Sequence, residues 1–280
     1  MLTVKAPAKL NLTLEVLGKR PDGFHEIRSV IQPIDLYDTL RFESGEGIEF
    51  RCDMKKWTVE KSLVSKAADL MKDYGGGSRG ALIKIEKHIP LMSGLGGDSS
   101  DAAAVLRGLN KLWELDLPRE VLLVIAGQLG SDVFFFLEGD TALVEGRGEK
   151  ITPMPSPVKM WVVLVVPDVP VKEGKTAHMY SQLKREHFTD GAITKKITST
   201  ILKGKVFTPQ MLFNTFENIA FIDDTIKTYK EHLLKLGAPC VHLAGSGPTL
   251  FTIFDDKTAA EEYMSRCESQ GMEAYLASTL

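Results

Sequence analysis

Residues 81–113 most constrain what this chain can fold into, because three local signals follow one another there without a gap. The run ALIKIEKHI (81–89) sets Ile83, Ile85 and Ile89 against Lys84, Glu86 and His88, the alternation of a strand. Pro90, Leu91, Met92, Ser93, Gly94, Leu95, Gly96 and Gly97 then make a glycine-rich loop. Asp98, Ser99 and Ser100 lead from it into a helix, predicted from apolar residues at 102, 105, 106, 109, 112 and 113. Any of those three polar residues suits the N-cap, and Ala102–Ala104 open the helix with high intrinsic propensity. The first turn of a helix has N–H groups without internal partners, and glycines let a backbone approach phosphate oxygens closely. Strand, loop and helix together therefore predict an anion cradle. A tight strand-to-helix turn uses the same glycines, so the spacing alone leaves both readings open.

A chain of 280 residues makes one large or two ordinary domains. The prolines at 153, 155 and 157 are the best candidate linker, giving expected domains at 1–155 and 156–280. A net charge of −3 gives no electrostatic case for nucleic acid or an anionic membrane surface. The longest apolar run, Met160–Pro167, falls short of a bilayer span, and the alternating N-terminus lacks a signal-peptide core. Three scattered cysteines without a CxxC pair fit a reducing cytoplasm. No HExxH or other dedicated ligand set is visible, so metal ligands are unknown; oligomeric state is not readable either.

Other candidates lie along the chain. Residues 2–17 read as strand with a break near 6–9; Lys9 and Asn11 there share a face, either solvated or functional. Phe24 and His25 follow the Pro21-Asp22-Gly23 turn, and strands are expected at 24–34 and 39–44. They read as a core Phe and surface His, or as a base-stacking aromatic with a hydrogen-bonding partner. Asp132, ahead of three phenylalanines, is either an N-cap or a functional carboxylate. Gly245, Ser246 and Gly247 lie between two apolar strands, as a hairpin turn or as backbone approaching a ligand. Helices are expected around 176–186, 192–203, 209–220, 223–236 and 257–269. Two motif matches are rejected. Gly75-x-Gly77-x-x-Gly80 follows a helix rather than a strand, and Gly174-Lys175-Thr176 lacks the upstream glycine of a Walker A loop.

PAKLNL near the N-terminus, PLMSGLGGDSSDAA at 90–103 and GSGPT at 245–249 resemble, in order, the three motifs of the GHMP kinases. DGFHEIRSV, LGSDVFFFL and TALVEGRGE are most similar to the members that phosphorylate the 2-hydroxyl of a cytidine-diphosphate-linked methylerythritol in non-mevalonate isoprenoid synthesis. The resemblance implies an α/β (α+β) two-domain fold. Its N-terminal domain would hold a left-handed βαβ unit and its C-terminal domain would be ferredoxin-like, with the active site in the cleft between. It implies ATP and Mg²⁺, a small-molecule substrate and a cytoplasmic enzyme. Lys9 and Asp132 match the catalytic pair, and Pro90 through Ser100 match the ATP-phosphate loop. Asn11, Phe24, His25, Thr176, Tyr180, Gly245, Ser246 and Gly247 match substrate contacts, with Phe24 and Tyr180 sandwiching the base. Asp98 stands where the family has a third glycine, Phe134 where proline is usual, and Phe24 where tyrosine is commoner. The competing expectations are a mevalonate- or homoserine-type kinase, or a binding protein that kept this fold without catalysis.

Overall fold

The computed structural model describes residues 1–170 and 174–280, without the side chains at 61 and 76. These residues pack into two compact units, each assembled from separated stretches of chain. The first comprises Met1–Ala8, Leu36–Leu91 and Gly96–Gly139; the second comprises Lys9–Asp35, Met92–Leu95 and Asp140–Leu280. Strands β1 (Leu2–Lys19) and β2 (His25–Gly45) contribute residues to both. The expected breaks at 6–9 and 35–38 do not occur. Ala6, Ala8 and Leu10 are fully buried and carry the extended run past Pro7, and Asp38 of β2 is buried and accepts from the His88 N–H.

In the first unit, β3 (Ile48–Cys52) is followed by α1 (Leu63–Met71), β4 (Gly80–Glu86), α2 (Gly97–Leu112), α3 (Arg119–Leu129) and α4 (Ser131–Glu138). β4 pairs parallel with β3 and antiparallel with the second half of β2, Thr39 lying opposite Glu86. The alternation read at 81–89 is this strand only as far as Glu86, with Ala81, Ile83 and Ile85 buried. α2 sits tightly on the sheet. A Cβ at Gly108 would lie 2.3 Å from the Phe42 ring, so only glycine allows this approach. Trp113, at the end of α2, donates its indole N–H to the Gly80 carbonyl at 3.1 Å.

The second unit continues with β5 (Ala142–Gly146), β6 (Lys150–Pro153), β7 (Trp161–Val166), α5 (Lys175–Gln182), α6 (Ala192–Leu202) and β8 (Phe213–Asn214). It ends with α7 (Glu217–Ala220), α8 (Asp224–Lys235), β9 (His242–Leu243), β10 (Leu250–Phe254), α9 (Lys257–Ser269) and β11 (Glu273–Ser278). β5 pairs with the first half of β2 and with β6, while β8 runs parallel to β1 at Thr13 and Leu14. A separate antiparallel sheet has the order β11-β7-β10-β9. Val162–Val165 are buried on both faces, which is why this strand reads as an unbroken apolar run. Val163, Val165, Leu233, Leu250, Tyr263 and Cys267 belong to its core.

The helix expected at 209–220 is instead a single 3-10 turn (Pro209–Met211), β8 and the single turn of α7. Asn214 explains the difference. Its Nδ2 donates to the carbonyls of Leu243 (2.8 Å) and Gly245 (2.7 Å), and its Oδ1 accepts from the Phe216 N–H. A short amide side chain that captures backbone groups competes with helix formation.

Candidate functional site

In the second unit, Lys9, Asn11, Thr13 and Glu15 share one face of β1, and all are buried. The solvated-face reading of Lys9 and Asn11 therefore fails: each is 5% exposed. Their burial is compensated by a chain of hydrogen bonds. Lys9 Nζ donates to Asn11 Oδ1 at 2.8 Å, Asn11 Nδ2 donates to Ser29 Oγ at 2.8 Å, and Ser29 Oγ donates to the Thr13 carbonyl. Thr194 of α6 extends the file, donating its hydroxyl to Thr13 Oγ1 and its N–H to Glu15 Oε2. A buried amine is costly unless it is hydrogen-bonded, so this network orients Lys9 rather than merely tolerating it.

Two backbone segments of the same unit close around that amine. The Lys9 N–H donates to the Leu95 carbonyl at 2.9 Å, and the Thr249 N–H donates to the Ser93 carbonyl at 3.3 Å. Gly94 (φ +86°) passes so close to the 244–247 turn that an added Cβ would stand 2.2 Å from the Ala244 oxygen. A Cβ at Gly245 would stand 3.4 Å from Lys9 Nζ. Gly245–Gly247 does form a hairpin turn between β9 and β10, closed by Gly247 N–H to Ala244 O at 2.7 Å. Thr176, in the first turn of α5, shares a hydrogen bond with Ser246 at 2.9 Å. Met92, half exposed, holds φ +54°, a left-handed conformation that costs a non-glycine residue roughly 1–2 kcal/mol.

The two aromatic residues matched to base stacking have separate neighbours. Tyr180 of α5 stacks on His25, ring centroids 4.9 Å apart at 18°, and Phe216 meets Tyr180 edge-on. Phe24 is 55% exposed and carries the Arg147 guanidinium 4.8 Å from its ring centre. Burial, and secondarily the Lys19 charge, lowers the His25 pKa, so its imidazole is neutral near pH 7 and can both donate and accept.

In the first unit, α2 begins at Gly97 with Gly96 as N-cap at φ +77° and no side-chain cap. Asp98, Ser99 and Ser100 are thus inside the helix rather than capping it. Asp98 caps a neighbour: its carboxylate accepts from the Leu63 N–H at 3.1 and 3.2 Å and from the Ser62 hydroxyl, at the start of α1. Pro90 and Leu91 link β4 to the loop and are half-buried. Beneath the helix start lies a buried ionic cluster, with Lys87 Nζ between Asp38 and Asp101, 2.7 Å from the latter. Burial works against the Lys87 charge, but the two carboxylates outweigh it and raise its pKa. Burial likewise pushes Asp101 well above the usual carboxylate range, against the pull of Lys87. Asp132 is the second residue of α4, whose N-cap is Gly130, so the cap reading does not hold. A carboxylate in a first turn is favourably placed against the helix dipole.

Several of these groups were not read from the sequence: Thr13, Glu15, Ser29, Thr194 and Asn214 around Lys9, and Asp38, Lys87 and Asp101 under α2. The polar residues at 9, 11, 13 and 15, all of one parity, were the available signal for the first set. Among the described residues, no group of three His, Cys, Asp or Glu side chains could hold a metal ion. The Ser100 hydroxyl and Asp101 Oδ1, buried near the start of α2, have no hydrogen-bond partner. No helix of the described residues is long and apolar enough to cross a membrane.

A profile of the GHMP kinases N terminal domain matches residues 62–140. A 4-diphosphocytidyl-2-C-methyl-D-erythritol kinase of Dehalococcoides mccartyi is 47% identical over 281 residues, covering 100% of this chain and 99% of that protein. One from Geobacillus thermodenitrificans is 40% identical over 264 residues, covering 91% and 88%. A crystal structure of 4-(cytidine 5'-diphospho)-2C-methyl-D-erythritol kinase superposes with a TM-score of 0.84 at 29% identity, over 99% of each chain. The L. major mevalonate kinase structure matches at a TM-score of 0.76 and 15% identity, which is a likeness of fold alone.

Proposed function

The chain belongs to the 4-diphosphocytidyl-2-C-methyl-D-erythritol kinase family of the GHMP kinases, and from that premise we propose that it transfers the γ-phosphoryl group of ATP to the 2-hydroxyl of that cytidylyl substrate. The observation that carries the proposal is the buried, hydrogen-bonded Lys9 amine, held against Gly245 under the loop containing Gly94. Phosphoryl transfer asks mainly for positioning and charge neutralisation, with one group placed to accept a proton. Lys9 is the proposed cation for the reacting oxygens, and Asp132 the proposed base for the substrate hydroxyl. The N–H groups opening α2, with the residues from Pro90 to Ser100, are the proposed phosphate cradle.

His25 and Tyr180, already stacked, supply a flat surface and a neutral imidazole for reading a cytosine edge. Phe24 is the second proposed stacking surface, and Asn11, Thr176 and Gly245–Gly247 are proposed substrate contacts. Mg²⁺ fits only as an ion carried largely by the triphosphate, since the described donor set is sparse. Ser100, with its unpartnered hydroxyl, is the protein oxygen proposed to meet it; the ion would neutralise charge on the phosphates. Residues 1–155 are the proposed ATP-binding domain and 156–280 its C-terminal companion, in a cytoplasmic enzyme.

An ATP-consumption assay across the cytidylyl-methylerythritol, mevalonate, homoserine and galactose tests this directly. Turnover with the cytidylyl compound alone is expected. Turnover of mevalonate or homoserine, with the cytidylyl compound inert, would replace the proposal with its nearest rival.

A further inference from the structure

Helix α5 has two faces, which share Ser246 as a neighbour. Thr176 and Tyr180, four residues apart, face Ser246 and His25 respectively. Lys175, His178, Met179 and Gln182 follow the i, i+3, i+4, i+7 spacing of the other face, and that face lines a cavity of about 680 Å³ in the second unit. Ile219, Ile226, Leu243, Ser246 and Pro248 also line it. The volume is that of a small-molecule site, and the apolar walls with a few polar groups are the usual make-up of one.

Charge decides what the cavity suits. No described carboxylate pairs with the Lys175 amine. Asp223, the acid in the lining, is engaged at the head of α8, accepting from the N–H groups of Thr225 (2.9 Å) and Ile226 (3.2 Å). Burial alone lowers the Lys175 pKa to about 8, so at neutral pH the amine is still mostly protonated. A half-buried cation beside a hydrocarbon wall is complementary to an anion that carries a hydrocarbon body.

We propose that this cavity, which adjoins the 245–247 turn at Ser246 and has the Lys175 amine 3.2 Å from a Cβ built at Gly247, is a second ligand site for a small amphiphilic anion whose head pairs with Lys175 and whose chain lies against Met179, Ile219 and Ile226. The inference does not depend on which alcohol the enzyme phosphorylates.

Calorimetric titration of the full chain with hexyl phosphate, 1-hexanol and inorganic phosphate, each with and without excess cytidine diphosphate, tests it. Hexyl phosphate is expected to bind at least tenfold more tightly than either other probe, with or without the nucleotide. Lys175→Gln should reduce it to the hexanol level and leave hexanol unchanged. On the unaltered protein, methyl NMR should show hexyl phosphate shifting Met179, Ile219 and Ile226. Equal binding by Lys175→Gln and the parent, complete competition by the nucleotide, or unmoved methyl signals would each overturn the proposal.

Discussion

Replacing Gly94 with alanine places a methyl carbon 2.2 Å from the Ala244 carbonyl oxygen and 3.0 Å from the Gly247 amide nitrogen and carbonyl oxygen. Two costs are combined in that change. The left-handed backbone at φ +86° costs an L-residue roughly 1–2 kcal/mol wherever it occurs. The second cost is local: the atoms met are backbone, so the 92–95 segment and the 244–247 turn must separate by about 1 Å to reach ordinary contact. Gly139 separates the two terms, because it has φ +85° and nothing within 4 Å of an added Cβ. Gly139→Ala should therefore lose only the conformational part, about 2–4 °C in Tm for a chain of this size. Gly94→Ala should lose more, and should also move Gly245 away from Lys9. Misplacement by about 1 Å commonly costs about 10²-fold in rate. Steady-state kinase assays and thermal unfolding of both variants make the comparison. Equal Tm losses with an unchanged kcat/KM for Gly94→Ala would refute the claim that this backbone approach holds the site together.

Three further outcomes follow from particular contacts. Asp98→Ala should destabilise by about 1 kcal/mol through loss of the cap on α1 while kcat changes little; a large fall in kcat would place the carboxylate at the nucleotide instead. Lys87→Met should cost about 3–5 kcal/mol in denaturant unfolding, because two buried carboxylates lose their cation; a loss below 1 kcal/mol would contradict the ionic account. His242, 3.0 Å from Glu217, has a pKa of about 9 against an ordinary 6.5, since Cys240 and Glu217 outweigh its burial. A raised folded-state value means its stabilisation, about 3 kcal/mol at most, is complete below pH 6.5 and lost between there and about pH 9. His242→Asn should flatten that part of the stability–pH curve, and an unaltered curve would exclude the pair as its source.

The segments that were legible in the sequence are those with a local apolar period. The alternation read at 81–89 became β4 as far as Glu86, with one face drier than the other, and the 3.6-residue stripe after Ala102 became α2, whose first half is buried nearly all round. Lys9 and Asn11 were harder to read. β1 is covered on both sides, so its polar alternation records a hydrogen-bonded file, not a wet surface. Asp98 could be seen as a capping residue, but the helix it caps begins 35 positions earlier in the chain, which no local pattern reports. The His25–Tyr180 stack joins residues on a strand and a distant helix, and depends on how α5 is rotated about its axis.

The interleaving of the two units has a consequence for synthesis. The first unit is complete once residue 139 has been made, whereas Lys9–Asp35 belong with partners that emerge much later. β8, which flanks β1, leaves the ribosome roughly 10–40 s after those residues at about 5–20 residues per second. During that interval a nascent chain presents unpaired strand edges, the surfaces most prone to wrong association. Newly made copies should therefore depend on chaperone holding more strongly than their refolded counterparts do, and shortening the delay by circular permutation should relieve that dependence.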